Sequence, residues 1–400
     1  MISMTRLLGG SFSFDDPSCD AFAENAARRT VAAPGPTVMW LATRTCNLDC
    51  SHCHAEAARQ RFTGELTTDE AKAMIDDLAS ISARALVMTG GEPLLRADVP
   101  SLLEHASRKG IPTILSTNGT LIDPAMARRL AETGLDSIRI SVDGAEPTHD
   151  RFRGRRGAWR KTLHGIRNAR EKGIRVTVRF TVTGDNVEEL GDIYRVVEDE
   201  GISHLVIQHL VYAGSDSFLA GIDLDIWEKR EMMDVLLRRT DEWITEGRSI
   251  EVHTADNHCD APFVYLWLLG NDPDRANDAG QMLQRLRGNR AGETLAAIDN
   301  VGGVSPDLFL RNHSLGNIRE RKFSEIWSDT NLPILRDLKR RRELLHGRCA
   351  DCSWLDVCNA SSRARAEAES SGDVWASDPG CYLLDEEISS NESPHAMAAT

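Results

Sequence analysis

Thr45-Cys46-Asn47-Leu48-Asp49-Cys50-Ser51-His52-Cys53 follows closely on the apolar run Val38–Leu41, and that order, strand first and thiols next, governs how the rest of the chain reads. The cysteine spacing is C-x3-C-x2-C. Three thiolates on one short loop can each bind one iron of a four-iron, four-sulfur cube, leaving the fourth iron open to a substrate or cofactor. The same loop, with His54 as a fourth ligand, would also suit a structural zinc site.

From this loop to about residue 210 strand-like and helix-like segments alternate. Apolar runs at Val38–Leu41, Ala85–Met88, Thr113–Ser116, Ser137–Val142, Arg175–Val182 and His204–Leu210 read as strands. Helical patterns at Thr67–Leu78, Val99–Lys109, Pro124–Glu132, Trp159–Glu171 and Val187–Glu200 lie between them. Thr67 with Glu70 three residues on is a capping box, and Gly110, Gly134, Gly173 and Gly201 each stand where a helix ends. Such alternation implies an α/β fold with a parallel sheet and helices outside it; six repeats fit a partial (β/α)6 TIM-type barrel. Ligands in that fold gather at the C-terminal ends of the strands, and Cys46 stands just past the first of those ends.

The chain has 400 residues, with 47 Lys and Arg against 61 Asp and Glu, a net charge of −14. That balance argues against a broad nucleic-acid-binding face. No apolar run approaches the roughly 18 residues that span a bilayer, and no signal-peptide pattern opens the chain, so a cytoplasmic protein without a membrane segment is expected. In that compartment nine cysteines do not make a disulfide framework. They gather instead as Cys46, Cys50 and Cys53, then Cys349, Cys352, Cys358 and Cys381, with Cys19 and Cys259 apart, and that clustering points to metal.

Two glycines and a carboxylate follow the second strand in Thr89-Gly90-Gly91-Glu92-Pro93, a pattern that lets backbone approach a ligand and offers an acceptor to an ammonium group. With the cysteine loop one repeat earlier, the chain resembles the radical S-adenosylmethionine (radical SAM) enzymes. The resemblance implies a 4Fe-4S cluster on Cys46, Cys50 and Cys53 whose open iron chelates S-adenosylmethionine, which an electron then splits into methionine and a 5′-deoxyadenosyl radical. It assigns the methionyl amino group to Gly90, Gly91 and Glu92. Ribose and methionyl contacts fall to Ser116 and Asn118 after the third strand and to Ser141 and Asp143 after the fourth. His52 takes the place of an aromatic residue beside adenine. Arg179, a charge inside a strand, needs a partner; the carboxylate of S-adenosylmethionine or a structural ion pair would supply it.

Cys349-x2-Cys352-x5-Cys358 and Cys381 supply four thiolates, enough for zinc or for a fully ligated cluster. The arrangement resembles the SPASM-type extension of radical SAM enzymes, and with four cysteines grouped it implies one auxiliary 4Fe-4S cluster in an electron-transfer role. Cys259, near His253 and His258, reads as a buried thiol or as a stray ligand. The organisation expected is a flexible leader over 1–35, a radical SAM core over 36–220, a helical connection over 221–290, a SPASM-like domain over 291–385 and a disordered tail over 386–400. Within it a long helix covers Asp223–Glu246, and a hairpin covers Leu295–Ser305.

Stretches such as Leu115-Ser116-Thr117-Asn118-Gly119-Thr120-Leu121-Ile122, His149-Asp150-Arg151-Phe152-Arg153-Gly154 and Phe323-Ser324-Glu325-Ile326-Trp327 resemble one subgroup, which contains the haem d1 biosynthesis radical SAM protein and the iron-coproporphyrin decarboxylase. The resemblance implies oxidative removal or decarboxylation of side chains on a tetrapyrrole-like or related natural product, with a flavodoxin or ferredoxin as reductant. Arg151, Arg153, Arg155 and Arg156 could pair with substrate carboxylates or form a solvated loop, and His54, His209, His258 and His313 could serve as axial ligands or proton donors. The chain departs from the subgroup at His54, at Ser305 and near Leu310–Asn312. Maturation of a ribosomally made peptide, modification of a sugar or nucleoside, and a non-enzymatic iron–sulfur or zinc protein are the competing readings.

Overall fold

The computed structural model describes residues 1–10, 35–53 and 55–389, so Cys19, His54, most of the expected leader and the last eleven residues lie outside the described residues. Eleven strands form one sheet: β1 (Ile2–Ser3), β2 (Thr37–Leu41), β3 (Ala85–Thr89), β4 (Thr113–Thr117), β5 (Ser137–Ser141), β6 (Val176–Val182), β7 (His204–His209), β8 (Glu251–Ala255), β9 (Leu295–Ile298), β10 (Gly303–Ser305) and β11 (Gly316–Asn317). Their order is β1-β8-β7-β6-β5-β4-β3-β2-β9-β10-β11. From β2 to β8 every neighbouring pair is parallel, and helices cross over between them. Unbroken sequence order is the arrangement of a barrel section, and it brings all the strand C-termini to one rim.

Local chemistry explains the elements. Every residue of β3 and of β4 is buried, as strands covered on both faces must be, and both read as near-continuous apolar or small-residue runs. Helix Thr68–Ser80 opens on the capping box of Thr67 and Glu70 and buries Ala71, Met74, Ile75 and Leu78, one stripe at helical spacing.

Three features differ from the sequence reading. Residues 1–10, assigned to a loose leader, form β1, paired antiparallel with β8, and helix Met4–Gly9, whose Met4, Leu7 and Leu8 are buried. The open edge of a sheet needs partners for its N–H and C=O groups, and this short segment supplies them. The second difference is β8, a seventh parallel strand inside the stretch read as a helical connection. Its sequence Glu251-Val252-His253-Thr254-Ala255 has a single large apolar residue, too faint a pattern to reveal a strand. Third, the expected tail starts as helix Asp385–Ser389, held by Glu387 against Arg230 (2.8 Å) and by buried Ile388. The hairpin is found as β9 and β10, and β9 pairs parallel with β2, so the cysteine-rich region continues the barrel sheet. Among the described residues no helix is long and apolar enough to cross a membrane.

Candidate functional site

Past the end of β2 the chain turns into the cysteine loop, and neighbouring segments pin it from both sides. Gly91 N donates to Thr43 O at 2.7 Å and Glu92 N to Thr45 O at 2.9 Å. A Cβ on Gly90 would lie 2.3 Å from Thr43 O, and one on Gly91 2.4 Å from Thr45 O, so only glycine permits this approach. On the other side Asp49 N and Ser51 N donate to Arg153 O and Phe152 O at 3.1 and 3.0 Å, and Arg155 Nη1 donates to Asn47 O at 2.9 Å. Asn118 Nδ2 donates to Asn47 Oδ1 (2.9 Å) and Asn47 Nδ2 to Thr120 Oγ1 (2.8 Å), which fastens the loop to the end of β4.

These constraints leave a cleft of about 810 Å³ at the C-terminal rim. Cys46, Cys50, Cys53, His52, Gly90, Gly91, Ser116, Asn118, Ser141 and Arg179 all line it. Two residues expected there do not. The Glu92 carboxylate is fully buried and accepts from Leu94 N (3.0 Å), Thr117 Oγ1 (2.8 Å) and Asn118 N (2.9 Å), so it joins β3 to β4 beneath the cleft floor. Asp143, also fully buried, sits behind the wall: its Oδ2 is 2.5 Å from Arg153 Nη2 and its Oδ1 3.8 Å from His52 Nε2.

Arg153 was missed as a site residue. Its guanidinium is buried, pairs with Asp143 and donates from Nη1 to Cys50 Sγ at 3.5 Å. The basic run read as substrate-facing or solvated therefore has two members, Arg153 and Arg155, that hold the cysteine loop; nothing local could reveal a contact between residues 103 apart. Burial pushes Cys46 up to about 12 and raises Cys50 as well, the latter opposed mainly by the Arg153 charge. Thiols so placed ionise when a cation binds them, which iron would do. His52, held down to about 4 by burial, is neutral, and its ring lies 5.3 Å from Phe152. Arg179 donates to Ser141 Oγ at 2.8 Å, so a polar side chain within the sheet supplies a partner for that charge.

Of the four histidines, His209 lines the cleft, with Nε2 3.1 Å from Asp260 Oδ2, and Asp260 also accepts from Tyr382 OH at 2.6 Å. His313 pairs with Glu367 at 2.9 Å. His258 lines a separate cavity, and His54 lies outside the described residues.

The second cysteine group lies in the segment after β11. Cys349, Cys352, Cys358 and Cys381 act on one another's charge, and burial raises Cys349, Cys352 and Cys358. Arg348 Nη1 donates to Cys381 Sγ at 3.6 Å. Cys259 lies near them: burial raises its thiol, Cys381 and Cys358 act on its charge, and it donates to Asn257 Oδ1 at 3.1 Å. Cys259 is buried, as expected, and stands just ahead of helix Asp260–Asn271. Just after Cys358, Asn359, Ala360 and Ser361 take φ of 53°, 61° and 46°, a left-handed run that bends the backbone back over the group. Buried Arg365 anchors this bend to the barrel, pairing with Asp378 (2.8 Å) and donating to Leu210 O (2.9 Å).

Both donor sets fit iron–sulfur clusters: one has three thiols beside an open cleft, the other four half-buried thiols away from it. Among the described residues no three His, Cys, Asp or Glu side chains converge as they would on a single ion. Thiolates around a cube bind different irons and need not converge on one point.

Comparison with known proteins gives a consistent result. Residues 40–197 match the Radical SAM superfamily, and residues 290–353 match SPASM, an iron-sulfur cluster-binding domain. The chain is 45% identical over 356 residues to Fe-coproporphyrin III synthase of Methanosarcina barkeri, covering 88% of this chain and 89% of that one. It is 38% identical over 353 residues to pre-heme d1 synthase of Dinoroseobacter shibae, covering 88% and 87%. The solved structure of native anSMEcpe with bound AdoMet superposes with a TM-score of 0.68 at 18% identity, covering 91% of this chain and 99% of that one, and shares the fold.

Proposed function

The chain belongs to the radical SAM enzymes with a SPASM region, and from that premise we propose that it removes or oxidatively decarboxylates carboxylate-bearing side chains of a tetrapyrrole. The observation that carries this reading is the 45% identity, over most of both chains, to a relative whose named product is an iron tetrapyrrole carboxylate. The 38% identity to a second tetrapyrrole synthase supports it.

Cys46, Cys50 and Cys53 would hold the radical SAM cluster, and Ser116, Asn118, Ser141 and Arg179 would face S-adenosylmethionine across the cleft. Bound there, the two would supply a 5′-deoxyadenosyl radical able to take one hydrogen from the side chain, so that loss of carbon dioxide would leave an alkene and one electron. Gly90 and Gly91 give the ligand backbone to lie against, while Glu92 keeps β3 and β4 in register beneath it. Arg153 holds Cys50 in place and balances the thiolate charge, with Asp143 as its counterion. Cys349, Cys352, Cys358 and Cys381 would hold one auxiliary 4Fe-4S cluster as the site for the leftover electron. A flavodoxin or ferredoxin would supply the initiating electron in the cytoplasm. The division is a core over 36–220 extended by β8 from the stretch 221–290, and a cluster domain over 291–385.

The test uses reduced, reconstituted enzyme with S-adenosylmethionine and tetrapyrroles deuterated on their carboxylate side chains. Deuterium in 5′-deoxyadenosine, with a matching loss of side-chain mass, is the expected result. Transfer of deuterium from a peptide or sugar, and none from any tetrapyrrole, would overturn the substrate reading.

A further inference from the structure

A second cavity, of about 1240 Å³, runs through the barrel and meets the cleft at Arg179, Gln208, Val211 and Phe309, which line both spaces. At its far end are Thr37, Arg84 and Thr294, which stand at or just before the first residues of β2, β3 and β9. It therefore reaches the N-terminal face of the strands, opposite the cysteine loop. An adjoining hollow of about 860 Å³ shares Arg84, His258 and Arg290 with it and adds Arg285 and Arg287.

The charge of this mouth runs against the rest of the molecule. In a chain of net charge −14, four arginines and no Asp or Glu line the outer hollow, among the described residues. Arg285 and Arg287 are exposed at the rim, and Arg287 donates to carbonyls of its own turn, Gln284 O and Leu286 O. Arg290, deeper, is braced by Glu293 at 3.0 Å. Further in, Arg139 and Arg179 face the cavity with two acids, both engaged: Asp256 accepts from Gln208 Nε2 (2.7 Å), and Asp307 from Phe309 N and Leu310 N (2.7 Å each). Among the described residues the positive excess thus lies at the mouth. A low-dielectric funnel lined with one sign of charge concentrates ligands of the other sign, and arginine suits carboxylates through paired N–H donors.

We infer that this mouth, at the face of the barrel remote from the cysteine loop, admits and orients a polycarboxylate, with Arg84, Arg285, Arg287 and Arg290 engaging carboxylates that do not react. The inference rests on the tetrapyrrole reading and adds to it the route of entry and the recognition of charge. Non-reacting carboxylates stay at the rim, while the reacting side chain reaches inward past Arg179 toward the cleft. S-adenosylmethionine, on the other rim, does not use this route.

The test measures binding of Fe-coproporphyrin III, a tetracarboxylate, by absorbance titration at low and high salt, alongside 5′-deoxyadenosine formation. It compares the wild type, R285Q/R287Q, and a control, R128Q/R129Q, whose exposed arginines lie on helix Pro124–Ala131 of the outer layer. R285Q/R287Q should weaken binding about tenfold at low salt and flatten its salt dependence. The control should bind as the wild type does, and all three proteins should cleave S-adenosylmethionine at the same rate without substrate. Equal binding by the wild type and R285Q/R287Q would overturn the mouth while leaving the tetrapyrrole reading standing. If the wild type makes 5′-deoxyadenosine but binds no carboxylate-bearing tetrapyrrole, the substrate reading fails and the mouth with it.

Discussion

The two cysteine groups are built on opposite plans. Cys46, Cys50 and Cys53 sit on one loop with no rigidity of its own, and distant segments hold it: Gly90 and Gly91 after β3, Asn118 after β4, and Arg153 in the turn after helix Glu146–Phe152. One side of it stays open as a cleft. Cys349, Cys352, Cys358 and Cys381 line neither the cleft nor the barrel cavity; they are half-buried, next to a left-handed run after Cys358 and a buried Arg365–Asp378 pair. A group that lines a cleft can take up a small molecule, whereas one with four thiols away from it is suited to carrying an electron. The contrast teaches that ligand count and surroundings act together: three thiolates leave an iron open, and the cleft makes it reachable.

The contrast can be broken at its strongest point first. Cys50→Ala should reduce 5′-deoxyadenosine formation to background, since a cluster with three protein ligands cannot spare one; full cleavage by this variant would remove the loop from the chemistry. Next comes Arg153→Gln, which leaves the Asp143 carboxylate buried without its counterion. Breaking one side of a buried pair costs about 3–5 kcal/mol. The variant should lose several degrees of thermal stability and bind iron at the loop poorly, with Asp143→Asn in the same chain restoring part of the stability. If stability and iron content were both unchanged, the clamp described here would be wrong.

Gly91→Ala should have a smaller effect on folding but a clear one on function. The added methyl meets Thr45 O, which must shift and carry the cysteine loop with it. Reduced S-adenosylmethionine cleavage with the spectrum of the second cysteine group's cluster intact is expected, and equal damage to both clusters would contradict their independence.

The smallest effect is on pH dependence. His149 is held down to about 4 and His258 to about 3 by burial, against 6.5 when free. Folded-state values below the unfolded one mean that their contribution is complete above about pH 6.5 and is lost as pH falls toward 4. By the size of these shifts the effect is roughly 3 kcal/mol for His149 and roughly 5 kcal/mol for His258. The melting temperature should therefore drop over that window, and His149→Gln should flatten the drop; an unchanged pH profile would exclude His149 as a buried neutral group.

How much of this was legible follows the range of the interactions. Strands such as Ala85–Thr89 announce themselves because burial on both faces demands a continuous apolar run. Helix Thr68–Ser80 does so through its capping box. The cysteine spacings and Gly90-Gly91 were readable because their chemistry is local. The role of Arg153 was not, since it depends on where the turn after helix Glu146–Phe152 packs against a loop 103 residues earlier. The place of Cys259 was hidden in the same way, since it follows a strand whose sequence has almost no alternation. Residues 1–10 resembled a leader because a two-residue strand and a one-turn helix leave no period to detect.

Cys352→Ala tests the division of labour most directly. Reduced enzyme would be given S-adenosylmethionine and a carboxylate-bearing tetrapyrrole, with 5′-deoxyadenosine and modified tetrapyrrole counted in the same reaction. The account predicts that cleavage stays close to the wild-type rate while product formation falls to background. Full product formation by this variant would contradict it, as would loss of cleavage together with product.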